Sequence, residues 1–188
     1  MAGKVIILCA PSGSGKTTLA KYLLSIKELD LKFSVSATTR KKRDGEIDGL
    51  DYNFLSIDEF KNRIQNNGFV EYEEVYDNIF YGTLKSEIDS VIINHNIIFD
   101  VDVVGALSLK RYFSSNSLTL FINPPSIGEL ENRLRRRKNN LEKDLNERLN
   151  KAEKEMEMKD KFDHIIINND LNKSKNEILS VVKGFLNK

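Results

Sequence analysis

Cysteine is almost absent from this chain: Cys9 is the single one in 188 residues. It lies inside the apolar run Val5–Cys9, where a free thiol packs as a small hydrophobe, so disulfide and cysteine-based zinc readings are both excluded. A reducing compartment fits that usage. Histidine is equally scarce. His95 and His164 have no carboxylate or cysteine at metal-ligand spacing, so they are expected to be surface or strand-end residues without catalytic function, and no Ser-His-Asp arrangement exists to argue from. Net charge is missing as well, because 29 Lys and Arg against 28 Asp and Glu leave +1. That balance argues against a general nucleic-acid or anionic-membrane surface and makes any phosphate chemistry local. No apolar run approaches membrane-spanning length, and Met1-Ala2-Gly3-Lys4 passes straight into the first strand without room for a signal or transit segment, so the expectation is a cytoplasmic protein. Internal repeats and low-complexity linkers are absent too. The length suits one domain whose core buries about 70% of the unfolded chain's surface, with room for small mobile insertions.

What is present is a set of continuous apolar runs, Val5–Cys9, 97–99, 118–122 and 165–167. They lack polar alternation, which predicts strands of a parallel sheet covered on both faces. Between them apolar residues recur at helical spacing: Leu19, Ala20, Leu23 and Leu24, then Leu84, Ile88, Val91 and Ile92, and finally Ile178, Val182, Phe185 and Leu186. A βαβα order places the chain in the α/β class. Two stretches stand apart from that core. Residues 33–82 carry mixed charge, many Gly and Asp, and short strand-like pieces such as 69–75, and read as an inserted subdomain. Within it Ser56 and Glu59 form a capping-box pattern for a helix carrying Phe60 and Ile64, with Gly68 just past its end. The second stretch opens at Pro124-Pro125-Ser126, with a further capping box at Ser126 and Glu129, and runs through Arg133, Arg135, Arg136 and Arg137 into Asn139-Asn140. It reads as an arginine-rich lid, followed by a partly exposed helix with Leu141, Leu145, Leu149, Ala152 and Met156. The predicted division is core 1–32, 83–125 and 157–188, insertion 33–82 and lid 126–156.

The first strand is joined to the first helix by Ala10-Pro11-Ser12-Gly13-Ser14-Gly15-Lys16-Thr17-Thr18. In a loop of this kind backbone N–H groups point at oligophosphate oxygens, the helix adds its positive end, Lys16 reaches the outer phosphates and the Thr17 hydroxyl can ligand Mg²⁺. An ordinary Gly-rich turn would not require strand, Lys and Thr together. Ala10 stands where the pattern expects its first Gly, and a left-handed backbone there would cost about 1–2 kcal/mol.

Behind that loop come Ser36-Ala37-Thr38-Thr39-Arg40-Lys41-Lys42-Arg43, Gly45-Glu46-Ile47-Asp48-Gly49-Leu50-Asp51-Tyr52, Glu71, Tyr81-Gly82, Asp100-Val101-Asp102, Pro124-Pro125-Ser126, Arg133 to Arg137, Arg148 and Ile167-Asn168-Asn169-Asp170-Leu171. In that order they closely resemble the guanylate kinase family, and the likeness spans essentially the whole chain. It implies a P-loop three-layer fold of core, GMP-binding subdomain and lid. It further implies Mg²⁺-dependent transfer of the ATP γ-phosphoryl group to GMP, and to dGMP, in guanine nucleotide metabolism. Expected partners are ATP and GMP, with no nucleic acid and no membrane, the chain being a monomer or homodimer.

The residues make chemical sense of that assignment. A nucleoside monophosphate carries a dianionic phosphate, and Arg40 and Arg43, three apart, can grip it with guanidinium forks helped by the hydroxyls of Tyr52 and Tyr81. Taken singly, a solvated basic turn and two ordinary aromatics would read equally well. The resemblance places all four at the acceptor phosphate. Guanine offers donors at N1 and the 2-amino group side by side, which a carboxylate can accept together, and the motif puts Glu71 there, although beside Glu73 and Glu74 it could also belong to a solvated strand face. Ser36 can donate to guanine O6, Asp102 resembles the second acidic contact to the base, and Thr83 follows Tyr81-Gly82 on the GMP side. For transfer, Lys16, Arg137 and Arg148 are the expected catalytic cations, while residues 10–18, Arg133 and Asn168 are expected to bind ATP. Arg135 and Arg136 are expected to face solvent. Thr17 and Asp100 would serve Mg²⁺, the latter through water. Two other readings were open on the sequence: a non-catalytic module of the same fold holding phosphopeptides, disfavoured by Lys16-Thr17 and the arginines, and a kinase of another phosphorylated small molecule.

Overall fold

The computed structural model describes residues 3–136 and 142–188. In chain order the elements are β1 (Val5–Cys9), α1 (Lys16–Ser25), β2 (Leu31–Phe33), β3 (Ala37–Thr38), β4 (Asn53–Phe54), α2 (Ile57–Gln65), β5 (Phe69–Tyr76), β6 (Ile79–Leu84), α3 (Lys85–Val91), β7 (Asn96–Val101), α4 (Val103–Phe113), β8 (Ser117–Asn123), α5 (Ile127–Arg135), α6 (Glu142–Glu157), β9 (His164–Ile167) and α7 (Leu171–Leu186). The main sheet runs β2-β7-β1-β8-β9 and every pairing in it is parallel. β1 is central, with Leu8 opposite Asp100 of β7 and Leu120 of β8. Its unbroken apolar run now has a cause: Ile6 and Leu8 pack into a core shared with α1 and α7, whereas Val5, Ile7 and Cys9 pack into a second core with α3 and α4. Helix, sheet and helix make three layers.

A second sheet, ordered β4-β3-β6-β5, holds the stretch that looked inserted. Phe60 of α2 stacks on Phe69 at 4.3 Å and on Phe80 at 5.3 Å, giving this sheet its own small core. β2 keeps Phe33 in the main sheet, and β6 continues to Leu84. The Ser56–Glu59 capping box is fully formed. Asn67, at φ 51°, takes the left-handed position after α2, so Gly68 does not. At α5 only half of the expected box exists: the Ser126 hydroxyl accepts from the Glu129 N–H, but the Glu129 carboxylate turns to Arg133. A charged partner one turn along outcompetes the cap. Helices α5 and α6 meet through Leu130, Leu134, Leu145 and Ala152. No helix among the described residues is long and apolar enough to cross a membrane.

Candidate active site

The carboxyl ends of β1 and β7 open into a cleft of about 800 Å³. One wall is the loop 10–18. Gly13 and Gly15 sit at φ +96° and +94°, whereas Ala10 does not adopt positive φ, so the missing glycine there costs no strain. Gly15 is the N-cap of α1 and its neighbour on the loop is tied down from below, because the Asn168 side-chain amide donates to the Ser14 carbonyl at 2.7 Å. Lys16 Nζ lies 2.7 Å from Asp100 Oδ1 and also donates to the Val101 carbonyl. The Thr17 hydroxyl donates to Asp100 Oδ2 at 2.9 Å. Lysine, hydroxyl and carboxylate are thus gathered at the start of a helix whose positive end faces the cleft.

A group of acids lines the same cleft. Glu71 and Glu73 share one side of β5, and Asp102 caps α4 by accepting from the Gly105 N–H at 2.8 Å. A methyl at Gly105 would come 3.2 Å from both Asp102 Oδ1 and Glu71 Oε2, so glycine lets the first turn of α4 reach these carboxylates. Burial raises Glu71 above its ordinary value; the Thr83 hydroxyl, donating to its Oε1 at 2.6 Å, works the other way. Asp102 is held below its ordinary value: burial opposes this, but Glu73, the Gly105 N–H and Lys151 favour its anion. From α6, Lys151 lies 3.9 Å from Asp102 and 3.8 Å from Glu155. Burial pushes Glu155 up to about 7. Ser36 lines the same wall.

Arg40, which does not itself line the cleft, stacks over Tyr52 of the lining at 5.2 Å and donates from Nε to the Tyr81 hydroxyl at 3.2 Å. Its fork is closed on Glu46, at 2.9 and 2.8 Å. Glu46 also accepts from the Arg43 N–H, and these contacts, the Arg40 hydrogen bond first, hold its carboxyl down at about 2. Tyr52 and Tyr81 meet edge-on at 5.9 Å. Arg43 is exposed and does not line the cleft.

Most sequence-predicted residues therefore converge, but among the described residues Arg40, Arg43, Thr83, Arg133 and Asn168 do not line the cleft. Arg148 of α6 lines the cleft. Arg133 pairs with Glu129 and donates to the Asn168 carbonyl, away from it. Asn168 spends its side chain on the loop. Arg43 stays outside, and Arg137 lies outside the described residues. Arg135 is exposed and paired with Glu131, and Arg136 is exposed, in line with the solvent-facing expectation. His95 pairs with Asp30 at the surface and His164 is exposed at the start of β9. Glu46, Glu73, Lys151 and Glu155 were not foreseen. Only Glu46 carried a signal, lying three residues past Arg43 beside a turn glycine.

A profile of the guanylate kinase family matches residues 2–184. A guanylate kinase of Bacteroides fragilis is 50% identical over 184 residues, covering 97% of this chain and 90% of the relative. One of Porphyromonas gingivalis is 47% identical over 186 residues, covering 98% and 99%. Among solved structures, guanylate kinase from Anaplasma phagocytophilum superimposes with a TM-score of 0.80 at 28% identity, covering 100% of this chain and 88% of that one. A shikimate kinase from Bacteroides thetaiotaomicron, 16% identical with a TM-score of 0.55 and covering 96% and 98%, shares the fold alone. With a phosphate loop facing an acid-lined pocket and matches running nearly end to end, the chain belongs to the guanylate kinase family.

Proposed function

We propose that this cleft carries out the reaction of its family, ATP-dependent phosphorylation of GMP to GDP, with the donor on the loop 10–18 and the acceptor base against Glu71 and Asp102. One observation carries the reading: a cation-bearing phosphate loop and a group of carboxylates line a single cleft. Phosphoryl transfer demands in-line positioning and charge neutralisation more than covalent chemistry. Lys16 and Arg148 supply cations on the donor side, with Arg137 a third candidate from the lid. Glu71, kept oriented by Thr83, accepts from guanine N1 and the 2-amino group, Asp102 adds a second acceptor, and Ser36 faces O6. Arg40, held by Glu46, Tyr52 and Tyr81, receives the acceptor phosphate, joined by Arg43. In exchanging Glu46 for phosphate, Arg40 trades one bidentate partner for another.

The donor set fits Mg²⁺. Thr17 and Asp100 together give a hydroxyl and a carboxylate, hard oxygens suited to an ion that keeps waters and phosphate oxygens as its other ligands. Among the described residues no cluster of three or more His, Cys, Asp or Glu would compete for it. When bound, Mg²⁺ neutralises charge on the phosphates. Asp100 releases Lys16 and Thr17 to the incoming nucleotide. The lone buried thiol of Cys9, which burial pushes up and so keeps inert, suits the reducing cytoplasm in which we place the reaction.

The test is ADP formation from ATP and Mg²⁺ with GMP, AMP, CMP or UMP as acceptor. Turnover with GMP at least about a hundredfold above the others is expected. Equal turnover on all four, or none, would overturn the proposal, and the latter would revive a binding module.

A further inference from the structure

Helix α6 presents two stripes. Leu145, Leu149 and Ala152 pack with Leu130 and Leu134 of α5, and this seating leaves Arg148, Lys151 and Glu155 lining the cleft. The proposed reaction gives Lys151 no part. Its ammonium stands 3.9 Å from Asp102 Oδ2 and 3.8 Å from Glu155 Oε1, both beyond hydrogen-bonding length, and it donates to nothing else among the described residues. The side chain is half-exposed yet held beside two carboxylates, so its N–H donors are confined and uncommitted. Asp102 is only half committed as well. Its Oδ1 caps α4 through the Gly105 N–H, whereas Oδ2, the oxygen nearer Lys151, accepts no hydrogen bond from the described residues.

We propose that Lys151 is a base-binding residue that donates to guanine N3. This rests on the assignment of Glu71 and Asp102 to guanine and deepens it. Along that edge the base offers one N–H at N1 and a pair on the 2-amino group, one beside N1 and the other beside N3. Glu71 takes the N1–H and the amino hydrogen next to it, so the hydrogen beside N3 remains for Asp102. N3 itself is an acceptor. A donor arriving at Asp102 Oδ2 therefore brings an acceptor alongside, where a cation 3.9 Å from that oxygen can meet it. An ion pair stretched beyond hydrogen-bonding length takes up a neighbouring donor and acceptor together, the anion receiving from one and the cation giving to the other. Closed on each other, Asp102 and Lys151 would have less to offer a base. Glu155, 7% exposed, shares the ammonium and so opposes that closure. Because every purine carries N3, Lys151 adds affinity for the base and leaves the choice of guanine over adenine to Glu71 and Asp102.

The test compares kcat/KM for GMP with that for 3-deaza-GMP, in which a C–H replaces N3, at saturating ATP in the parent, Lys151→Met and Lys151→Arg. The parent should prefer GMP by at least about tenfold, the effect of losing a hydrogen bond from a charged donor. Lys151→Met should lose about tenfold on GMP and shrink that preference below about twofold, whereas Lys151→Arg keeps a charged donor and should hold it above about threefold. Removing the ammonium also leaves Asp102 and Glu155 less neutralised, but that change falls on both acceptors alike and cancels in the ratio. KM for ATP should move less than about twofold, and dGMP should fall in parallel with GMP. The parent's own ratio stands whether or not the variants fold. No preference for GMP over 3-deaza-GMP in the parent, the same preference in Lys151→Met, or a loss confined to acceptors bearing the ribose 2′-hydroxyl would overturn this inference alone. A parent that turns over GMP no better than AMP would overturn the assignment of the base to Glu71 and Asp102 beneath it.

Discussion

Replacing Gly15 by alanine probes the phosphate loop at its most constrained point. Gly15 holds φ 94° and ψ 13°, a left-handed conformation that costs an alanine about 1–2 kcal/mol. The added methyl would also lie 2.3 Å from Asn168 Nδ2, nearer than atoms can approach. Asn168 is 7% exposed, and this amide is the one that donates to the Ser14 carbonyl. Moving it aside leaves a buried polar pair broken, worth about 1–3 kcal/mol. The total expected loss is about 2–5 kcal/mol, a large share of the 5–15 kcal/mol or so that holds a typical domain together. Urea unfolding of parent and variant gives the value, and KM for ATP should rise more than about tenfold because the loop's N–H groups are displaced. Gly45→Ala is the control: φ is +84° there but nothing lies within 4 Å, so only the conformational part, about 1–2 kcal/mol, should appear. A Gly15→Ala loss no larger than that of Gly45→Ala would show that Asn168 does not brace the loop.

Glu155 supplies a pH test. Folded, it keeps its proton up to about 7, whereas unfolded it releases it near about 4.3, so its contribution is complete below that lower value and is lost as pH rises through about 7. At 7% exposure little screening applies, and Glu155→Gln should be more stable than the parent at about pH 8 by about 2–3 kcal/mol, with a smaller difference at about pH 5. Equal differences at the two pH values, measured by urea midpoints, would place the carboxyl in water instead. Lys16→Ala and Arg148→Ala should each lower kcat by about 10³ or more with unfolding midpoints near the parent's, since both side chains line the cleft and neither belongs to the core. Unchanged kcat with altered KM would make them ground-state binders.

The main sheet was legible because β1, β7 and β8 are buried on both faces, and an apolar run without alternation records that directly, whereas β9 has the same kind of run at the sheet edge with Ile167 exposed. The phosphate loop was legible because each of its residue types has a separate physical reason to be there. Less visible was anything decided by competition between partners. Glu129 could cap α5 or pair with Arg133, and Asn67 or Gly68 could close α2; such choices are settled by three-dimensional partners that residue types alone do not rank. The acid cluster escaped for a different reason. Glu73 and Glu155 are brought together with Asp102 by β5, α6 and α4, three elements far apart in sequence, and each read alone as a solvated charge. Arg133 was expected to bind ATP, yet the sequence says nothing of the Asn168 carbonyl to which it donates outside the cleft lining.

Guanine selection by Glu71 is the claim on which donor and acceptor assignments both depend, and it is tested most directly by the ratio of kcat/KM for GMP to that for AMP in the parent and in Glu71→Gln. The glutamine keeps the shape and can still meet the Thr83 hydroxyl, but it presents one acceptor oxygen to a base with two adjacent donors. The expected result is a fall in kcat/KM for GMP of about a hundredfold, with AMP, whose N1 can accept from the new amide, losing less or gaining. An unchanged ratio would contradict the assignment, leaving Glu71 a buried acid of β5 and the choice of base to Asp102 and Ser36.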